Sequence, residues 1–416
     1  MKFDVLIIGG GTAGIMTAAQ LVRKSDKKLN IGLIEPSEKH YYQPAWTLVG
    51  AGTFDMKATI RNEADYIPSG VKWIKSRAED INPENNTVTL DNGNILEYNY
   101  LVVAPGIQIN RDGIPGLAEA LDKGVVCSNY TDPEHTWKVL KNFKGGNALF
   151  TQANTPIKCG GAPQKIMYLA SDYFERNNIS EKTNVIFATP GGVIFGVKDF
   201  ADTLNKVIER YDINTKFKYV LTRIDAENNI AYFKVNEDSP VKPDGSIGEK
   251  LLDDNEVAIP FDMLHLAPPQ SAPDFIRNSP ISLKEGPNAG WVDVDIETLQ
   301  HLRYPRIFAL GDVAALPTAK TGAAVRKQAP VVVANILNLI KNNKLDDPKY
   351  HGYSSCPLVT GYGKMVLAEF NYNNVRASDP LLSKFMDTSK ESWFLWILKK
   401  YGLPYLYWNK MLKGKM

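Results

Sequence analysis

No apolar stretch in this chain reaches the length of about 18 to 20 residues that crossing a bilayer requires, so nothing in it reads as a membrane span. Cysteine is scarce. Cys127, Cys159 and Cys356 are the only three in 416 residues, too few for the disulfide framework of a small exported scaffold. None is paired as C-x-x-C and the five histidines are scattered, so no metal site is expected. Net charge is nearly absent too, and a formal +2 argues against nucleic acid as a bulk electrostatic partner. The opening residues MKFDVLII pass straight into an apolar run, and no signal peptide is expected.

In FDVLIIGGGTAGIMTAAQL, Gly9, Gly11 and Gly14 form G-x-G-x-x-G between an apolar strand, Phe3 to Ile8, and an alanine-rich helix. In that setting glycines let a pyrophosphate approach the backbone at a helix N-terminus. Beyond it the strand IGLIE ends on Glu35, whose carboxylate can accept from a ribose 2′-hydroxyl and would repel a 2′-phosphate. One adenine dinucleotide is expected here. Far along the chain RIFALGD delivers Gly311 and Asp312 from a strand, and a helix begins near Thr321 with Lys320 beside it. An Asp at such a strand end can bind a ribityl hydroxyl, and the helix end with its lysine can stabilise negative charge on a reduced flavin. Two fingerprints at opposite ends of the chain, meeting on one cofactor, specify FAD better than an ordinary NAD-binding fold.

The second dinucleotide loop that such a layout calls for is missing. The apolar strand NALFTQ (147 to 152) runs into Pro156, Lys158 and Cys159, with a helix from about Gln164. The next strand, NVIFAT (184 to 189), ends on Thr189 and Pro190, with no acid for a ribose. The NAD(P)H pocket therefore reads as degenerate, and the electrons must come from another donor. Cys159 precedes a helix start holding Pro163 and Gln164, with Lys158 and Lys165 nearby, features that favour the reactive thiolate. Cys356 lies in YSSCPLVTGYGKMVLAEF, before an apolar strand. From the residues alone it stays open whether these sulfurs meet, and taken singly each is more often an inert buried cysteine.

The expected fold class is α/β: two Rossmann-like domains of the FAD/NAD(P)-binding type plus a C-terminal amphipathic membrane-docking segment. The FAD domain would comprise 1–112 and 301–344, with a hairpin at Asp91-Asn92-Gly93. Residues 113–300 would form the second domain with its degenerate site, and 345–416 a C-terminal region with Cys356. The last 33 residues hold seven lysines against two acids and three of the seven tryptophans. Their segments WFLWIL and LPYLYW flank Lys399, Lys400 and Gly402, and Pro404 opens the second. That composition suits a segment at the lipid headgroup boundary, with rings at the interface and ammonium groups on anionic lipid. The alternative is a helical hairpin packed on the body or on a second subunit.

Through HYYQPAWTLVGAG, SNYTDPEHTWK, TPIKCGGAPQKIMYLASDYF, LPTAKTGAAV, YSSCPLVTGY and LPYLYWNKML, nearly the whole chain resembles the sulfide:quinone oxidoreductases, in the two-cysteine branch that includes the mitochondrial enzyme. The resemblance implies a redox pair of Cys159 and Cys356, bridged directly or through an extra sulfur. Hydrosulfide would open the bridge, leaving a persulfide on Cys356 and a thiolate on Cys159, and two electrons would pass through FAD to a quinone. It further implies that Gly10, Gly11, Glu35, Gln43, Ala78, Asp312, Lys320, Thr321, Gly322 and Ala323 touch a non-covalent FAD, and that Cys127 is structural. Implied partners are hydrogen sulfide, ubiquinone or menaquinone, a sulfur acceptor (sulfite, a small thiol or growing polysulfide) and a membrane surface; a homo-oligomer stays open. The expected location is peripheral (monotopic), on the cytoplasmic face of the inner membrane. Competing readings are a type II NADH:quinone reductase and a flavin-based sulfide or redox sensor without turnover.

Overall fold

A computed structural model describes residues 1–252 and 255–416. The first strand, β1 (Lys2–Ile8), lies between parallel neighbours Ile31–Ile34 and Ile95–Val103, and Val71–Ile74 extends the sheet beyond the first of these. All of β1 from Val5 to Ile8 is buried, the pattern of a parallel strand covered on both faces. The hairpin expected at Asp91-Asn92-Gly93 is present, with Thr87–Leu90 antiparallel to Ile95–Val103. The late strand Ile307–Ala309 pairs with the same Ile95–Val103, returning the chain to the first sheet as expected.

Helix α1 (Thr12–Lys24) follows the glycine turn. Gly9 has φ +98°, and a Cβ there would lie 2.3 Å from the Ala104 carbonyl oxygen, so both conformation and space demand glycine. A Cβ on Gly14 would sit 1.8 Å from the Gly9 oxygen, which is how closely α1 approaches the turn.

The second sheet is parallel in the order Val126–Cys127, Met263–His265, Gly146–Thr151, Thr183–Thr189, Asn214–Phe217. The polar region near 220 to 260 folds as an antiparallel sheet around Tyr219–Asp225, Ile230–Val235 and Glu256–Pro260. The long helix before Asn177, α2 (Ala162–Arg176), starts two residues earlier than the sequence suggests because Pro163 suits a first helical turn.

Packing departs from the sequence boundary at residue 300. Ala272, Ile276, Ile281, Trp291, Val292, Val294 and Leu299 are buried in one core with β1 and α1. The return to the first domain therefore begins near the Gln270–Ser271 strand, which pairs with Gln108–Ile109. The hairpin Ser354–Gly361 with Lys364–Phe370 instead joins the core of α2.

Candidate functional site

Cys159 stands two residues before Gly161, the N-cap of α2, in the left-handed conformation with φ +52°. Its N–H donates to the Lys320 carbonyl at 2.8 Å, and its own carbonyl accepts from Ala162 N–H at 2.8 Å and from the Tyr130 hydroxyl at 3.3 Å. Fixed in this way, the sulfur accepts from Lys165 Nζ at 2.9 Å. Cys356 arrives from the C-terminal hairpin opposite Ala368 and is 3% exposed. A Cβ on Gly161 would meet the Cys356 sulfur at 2.5 Å, so glycine there lets the hairpin close on the start of α2. Both cysteines are free thiols.

The two sulfurs lie close enough to shift each other's ionisation. The Cys356 thiol, against burial, holds the Cys159 thiol well below its ordinary range with help from Lys165 and Lys399. Cys159 in turn, reinforced by burial, pushes Cys356 well above its own range. Burial opposes the Lys165 ammonium, but the adjacent sulfurs overcome it and hold Lys165 above the usual lysine value. These shifts favour negative charge on Cys159, the neutral thiol on Cys356 and positive charge on Lys165.

Lys399 is the residue that sequence reasoning missed. Read as a headgroup contact, it is 3% exposed and turns inward, donating to the Pro44 carbonyl at 2.8 Å. Burial, then the charge of Lys165, lowers it to about 7, partly offset by both sulfurs. Its neighbour Lys400 donates to Thr53 Oγ1 at 3.0 Å. No composition signal distinguishes such a lysine from one facing lipid. Cys127, by contrast, is fully buried in its strand, and burial pushes its thiol up to about 12.

The other nominated residues converge from both ends of the chain. Gly10 N–H donates to Glu35 Oε2 and Ser37 N–H to Glu35 Oε1, each at 2.7 Å. Ala78 opens a strand just past Ile74, whose carbonyl accepts from Glu35 N–H at 3.0 Å. Gln43 Oε1 accepts from Lys158 Nζ at 2.5 Å. A Cβ on Gly311 would lie 3.2 Å from Ala13 Cβ, which places the late fingerprint against the start of α1. Asp312 is raised by burial and tempered by Lys320 and Lys158, with Cys159 close enough to contribute. Lys320 donates to the carbonyls of Asp312 at 2.6 Å and Ala314 at 3.1 Å, and its ammonium lies 3.8 Å from the centre of the Trp291 ring; burial lowers it to about 8. Thr321 caps α3 (Gly322–Asn342), accepting from Ala324 N–H at 3.1 Å.

These residues fit an FAD. A Cβ on Gly11 or on Gly322 would meet nothing within 4 Å, so both helix N-termini open onto free space. The first turns of α1 and α3 carry no acid, leaving N–H groups for an anion. One residue before Lys320, Ala319 borders a cavity of about 310 Å³ lined also by Phe195, Thr318 and Phe370.

A family model described as pyridine nucleotide-disulphide oxidoreductase matches residues 3–147. The mitochondrial sulfide:quinone oxidoreductase of Mus musculus is 43% identical over 414 residues, covering 99% of this chain and 87% of the mouse protein. Its namesake from Dictyostelium discoideum is 41% identical over 418 residues, covering 99% and 86%. The X-ray structure of the sulfide:quinone oxidoreductase from Aquifex aeolicus superposes with TM-score 0.78 at 20% identity, covering 99% of this chain and 91% of that one, a likeness of fold.

Proposed function

The chain belongs to the sulfide:quinone oxidoreductases, and on that premise we propose that Cys159 and Cys356 are the thiols at which it oxidises sulfide. One observation carries the assignment: a Cβ on Gly161, two residues after Cys159, would meet the Cys356 sulfur at 2.5 Å, so two cysteines distant in sequence come together beside the buried Lys165 that donates to Cys159, on a loop bonded to Lys320. FAD, the family's cofactor, supplies a two-electron acceptor that a quinone can reoxidise.

In the oxidised pair the sulfurs are bridged directly or through one further sulfur. At a direct bridge, hydrosulfide attacks the Cys356 sulfur, forming one S–S bond and breaking another; Cys356 becomes a persulfide and Cys159 leaves as a thiolate, while a further bridging sulfur would stay on one of the two cysteines. The asymmetry of the pair favours that direction, since the sulfur stabilised as an anion is the better leaving group. Lys165 donates to it, and Lys399 adds positive charge. Transfer of the sulfane sulfur to sulfite, a small thiol or polysulfide returns Cys356 to a thiol. Re-forming the bridge from the two thiols yields two electrons, which FAD, when bound, would accept.

FAD itself would be held non-covalently by Gly9, Gly10, Gly11, Gly14 and Glu35 at its adenosine end, and by Gly311, Asp312 and the run Lys320, Thr321, Gly322 and Ala323 towards the flavin, with Gln43 and Ala78 between. For the membrane, no helix among the described residues is long and apolar enough to cross one. Trp393, Phe394, Tyr401 and Tyr405, 66%, 53%, 60% and 59% exposed, line one outward side of the C-terminal segment. Amphipathic rings of this kind, beside Lys400 and Lys410, would dock on lipid and bring the site to a membrane quinone.

The test is anaerobic titration with sulfide and then a decylquinone analogue. Cys159→Ser and Cys356→Ser should each lose sulfide-dependent quinone reduction by roughly three orders of magnitude or more while keeping FAD, because one missing member disables a catalytic unit. Sustained turnover in either variant would refute the pair.

A further inference from the structure

The C-terminal segment makes a second buried polar contact, away from the sulfurs. Tyr407 is 5% exposed, and its hydroxyl lies 2.6 Å from His40 Nε2 and 2.8 Å from Thr12 Oγ1. The other ring nitrogen of His40 is 3.0 Å from Glu63 Oε2, and His40 and Glu63 are 4% and 1% exposed. Glu63, His40, Tyr407 and Thr12 thus form one hydrogen-bonded chain.

Both ends of this chain reach the glycine turn. Thr12 is the first residue of α1, directly after Gly11. On the other side, Glu63 Oε1 is buried and has no hydrogen-bond partner among the described residues. It lies 2.3 Å from where a Cβ on Gly10 would stand, and Glu35 Cγ lies 2.5 Å from the same point. A buried carboxylate oxygen left without a partner beside a binding loop is costly unless a ligand or its neighbours satisfy it.

The rest of the C-terminus grips the same domain. The Trp408 ring packs on Tyr66 at 4.9 Å and on His40 at 5.6 Å. Gln20 Nε2, inside α1, donates to the Met416 carbonyl at 2.6 Å. Tyr407, Trp408, Met411 and Leu412 share one core with β1 and α1. Helix α1 is therefore held by the C-terminal segment at its first residue and again at mid-length.

We propose that Tyr407 is a positioning residue for FAD: through Thr12 on one side and His40 with Glu63 on the other it sets the glycine turn, so that FAD binding and docking of residues 403–416 stabilise each other. The proposal rests on FAD as the cofactor of this turn and not on the sulfur chemistry. Linkage makes the coupling reciprocal.

The experiment follows FAD release from diluted holoprotein by the rise in flavin fluorescence, with no sulfide or quinone present. Tyr407→Phe keeps the ring in the core and deletes only the hydroxyl. Release should be about tenfold faster, the scale of one buried hydrogen bond lost. Lys413→Ala, at an exposed neighbour, should stay within about twofold of the parent, the size expected of an exposed side chain. In the parent, amides of 403–416 should exchange more slowly at saturating FAD than after FAD depletion, and Tyr407→Phe should shrink that difference. Release by Tyr407→Phe within about twofold of the parent, or exchange of 403–416 indifferent to FAD in the parent, overturns the proposal. Either outcome leaves the cysteine assignment untouched.

Discussion

A single methyl group decides whether the two sulfurs can meet. On Gly161 it would stand 2.5 Å from the Cys356 sulfur and 2.7 Å from Leu358 Cδ2, so the Cys356 sulfur would have to leave its position. Gly161→Ala should therefore lower sulfide-dependent quinone reduction by about 10²-fold, the cost of misplacing a reacting group by about 1 Å. FAD content, read from flavin absorbance, should stay near that of the parent. The lysines act by charge, and the sign can be worked out for Lys399, whose ammonium is lowered to about 7. Below pH 7 it is charged and helps hold the Cys159 thiolate; as pH rises through about 7 it becomes neutral and that help ends. Lys399→Met should thus shrink the thiolate fraction, followed by its ultraviolet absorbance, below pH 7. The gap from the parent should close above it. A gap that persists unchanged to higher pH would count against Lys399 as the charged group.

The C-terminal helix shows what an element can hide from its sequence. Trp393–Ile397 and Leu403–Leu406 are α-helical, but Leu398–Gly402 and Tyr407–Met411 are π-helical turns. Each such turn shifts the register of inward-facing positions, and the 3.6-residue pattern that marks α-helices no longer predicts which side chains point in. Lys399 and Tyr407 both fall in these turns and both are buried. The glycine turn and its strand, by contrast, were legible in the sequence because β1 is buried on both faces and Gly9, Gly10 and Gly14 each meet a steric demand. Likewise the Asp91-Asn92-Gly93 hairpin could be read from local turn chemistry. The meeting of Cys159 with Cys356 could not be derived that way, since it depends on a hairpin closing over Gly161. At the surface, the helix divides its aromatics: Trp396, Tyr407 and Trp408 face in while Trp393, Phe394, Tyr401 and Tyr405 face out. Replacing the four outward residues with Ser should weaken binding to anionic vesicles by at least about tenfold in a flotation assay. Sulfide-dependent reduction of a water-soluble quinone should be retained. Equal loss of both would mean that the outward face serves folding rather than lipid.

Across the whole molecule, the loop that would receive nicotinamide in the second domain has been rebuilt into a bridge to the first. Lys158 pairs with Lys320 as an isolated parallel bridge, Lys158 N–H donates to Gln270 Oε1 at 2.9 Å, and Cys159 N–H donates to Lys320. Two of the loop's N–H groups are thus already committed, and Pro156 removes another donor from the same loop. The strand Thr183–Thr189 ends on a threonine whose hydroxyl accepts from Gly191 N–H at 3.2 Å, with Pro190 between them and no carboxylate for a ribose. On the proposed reading, the second domain would offer sulfide a thiol at this junction in place of a nicotinamide site. The consequence is measurable under anaerobic conditions. Sulfide should bleach the flavin absorbance of the parent, and NADH or NADPH at matched concentration should leave it as in buffer alone. In Cys159→Ser, sulfide should lose that effect and the nicotinamides should gain none, because removing the sulfur does not free the loop's hydrogen bonds. Bleaching of the parent by NADH would instead mean that the bridge opens to admit nicotinamide, and the electron donor would have to be reassigned.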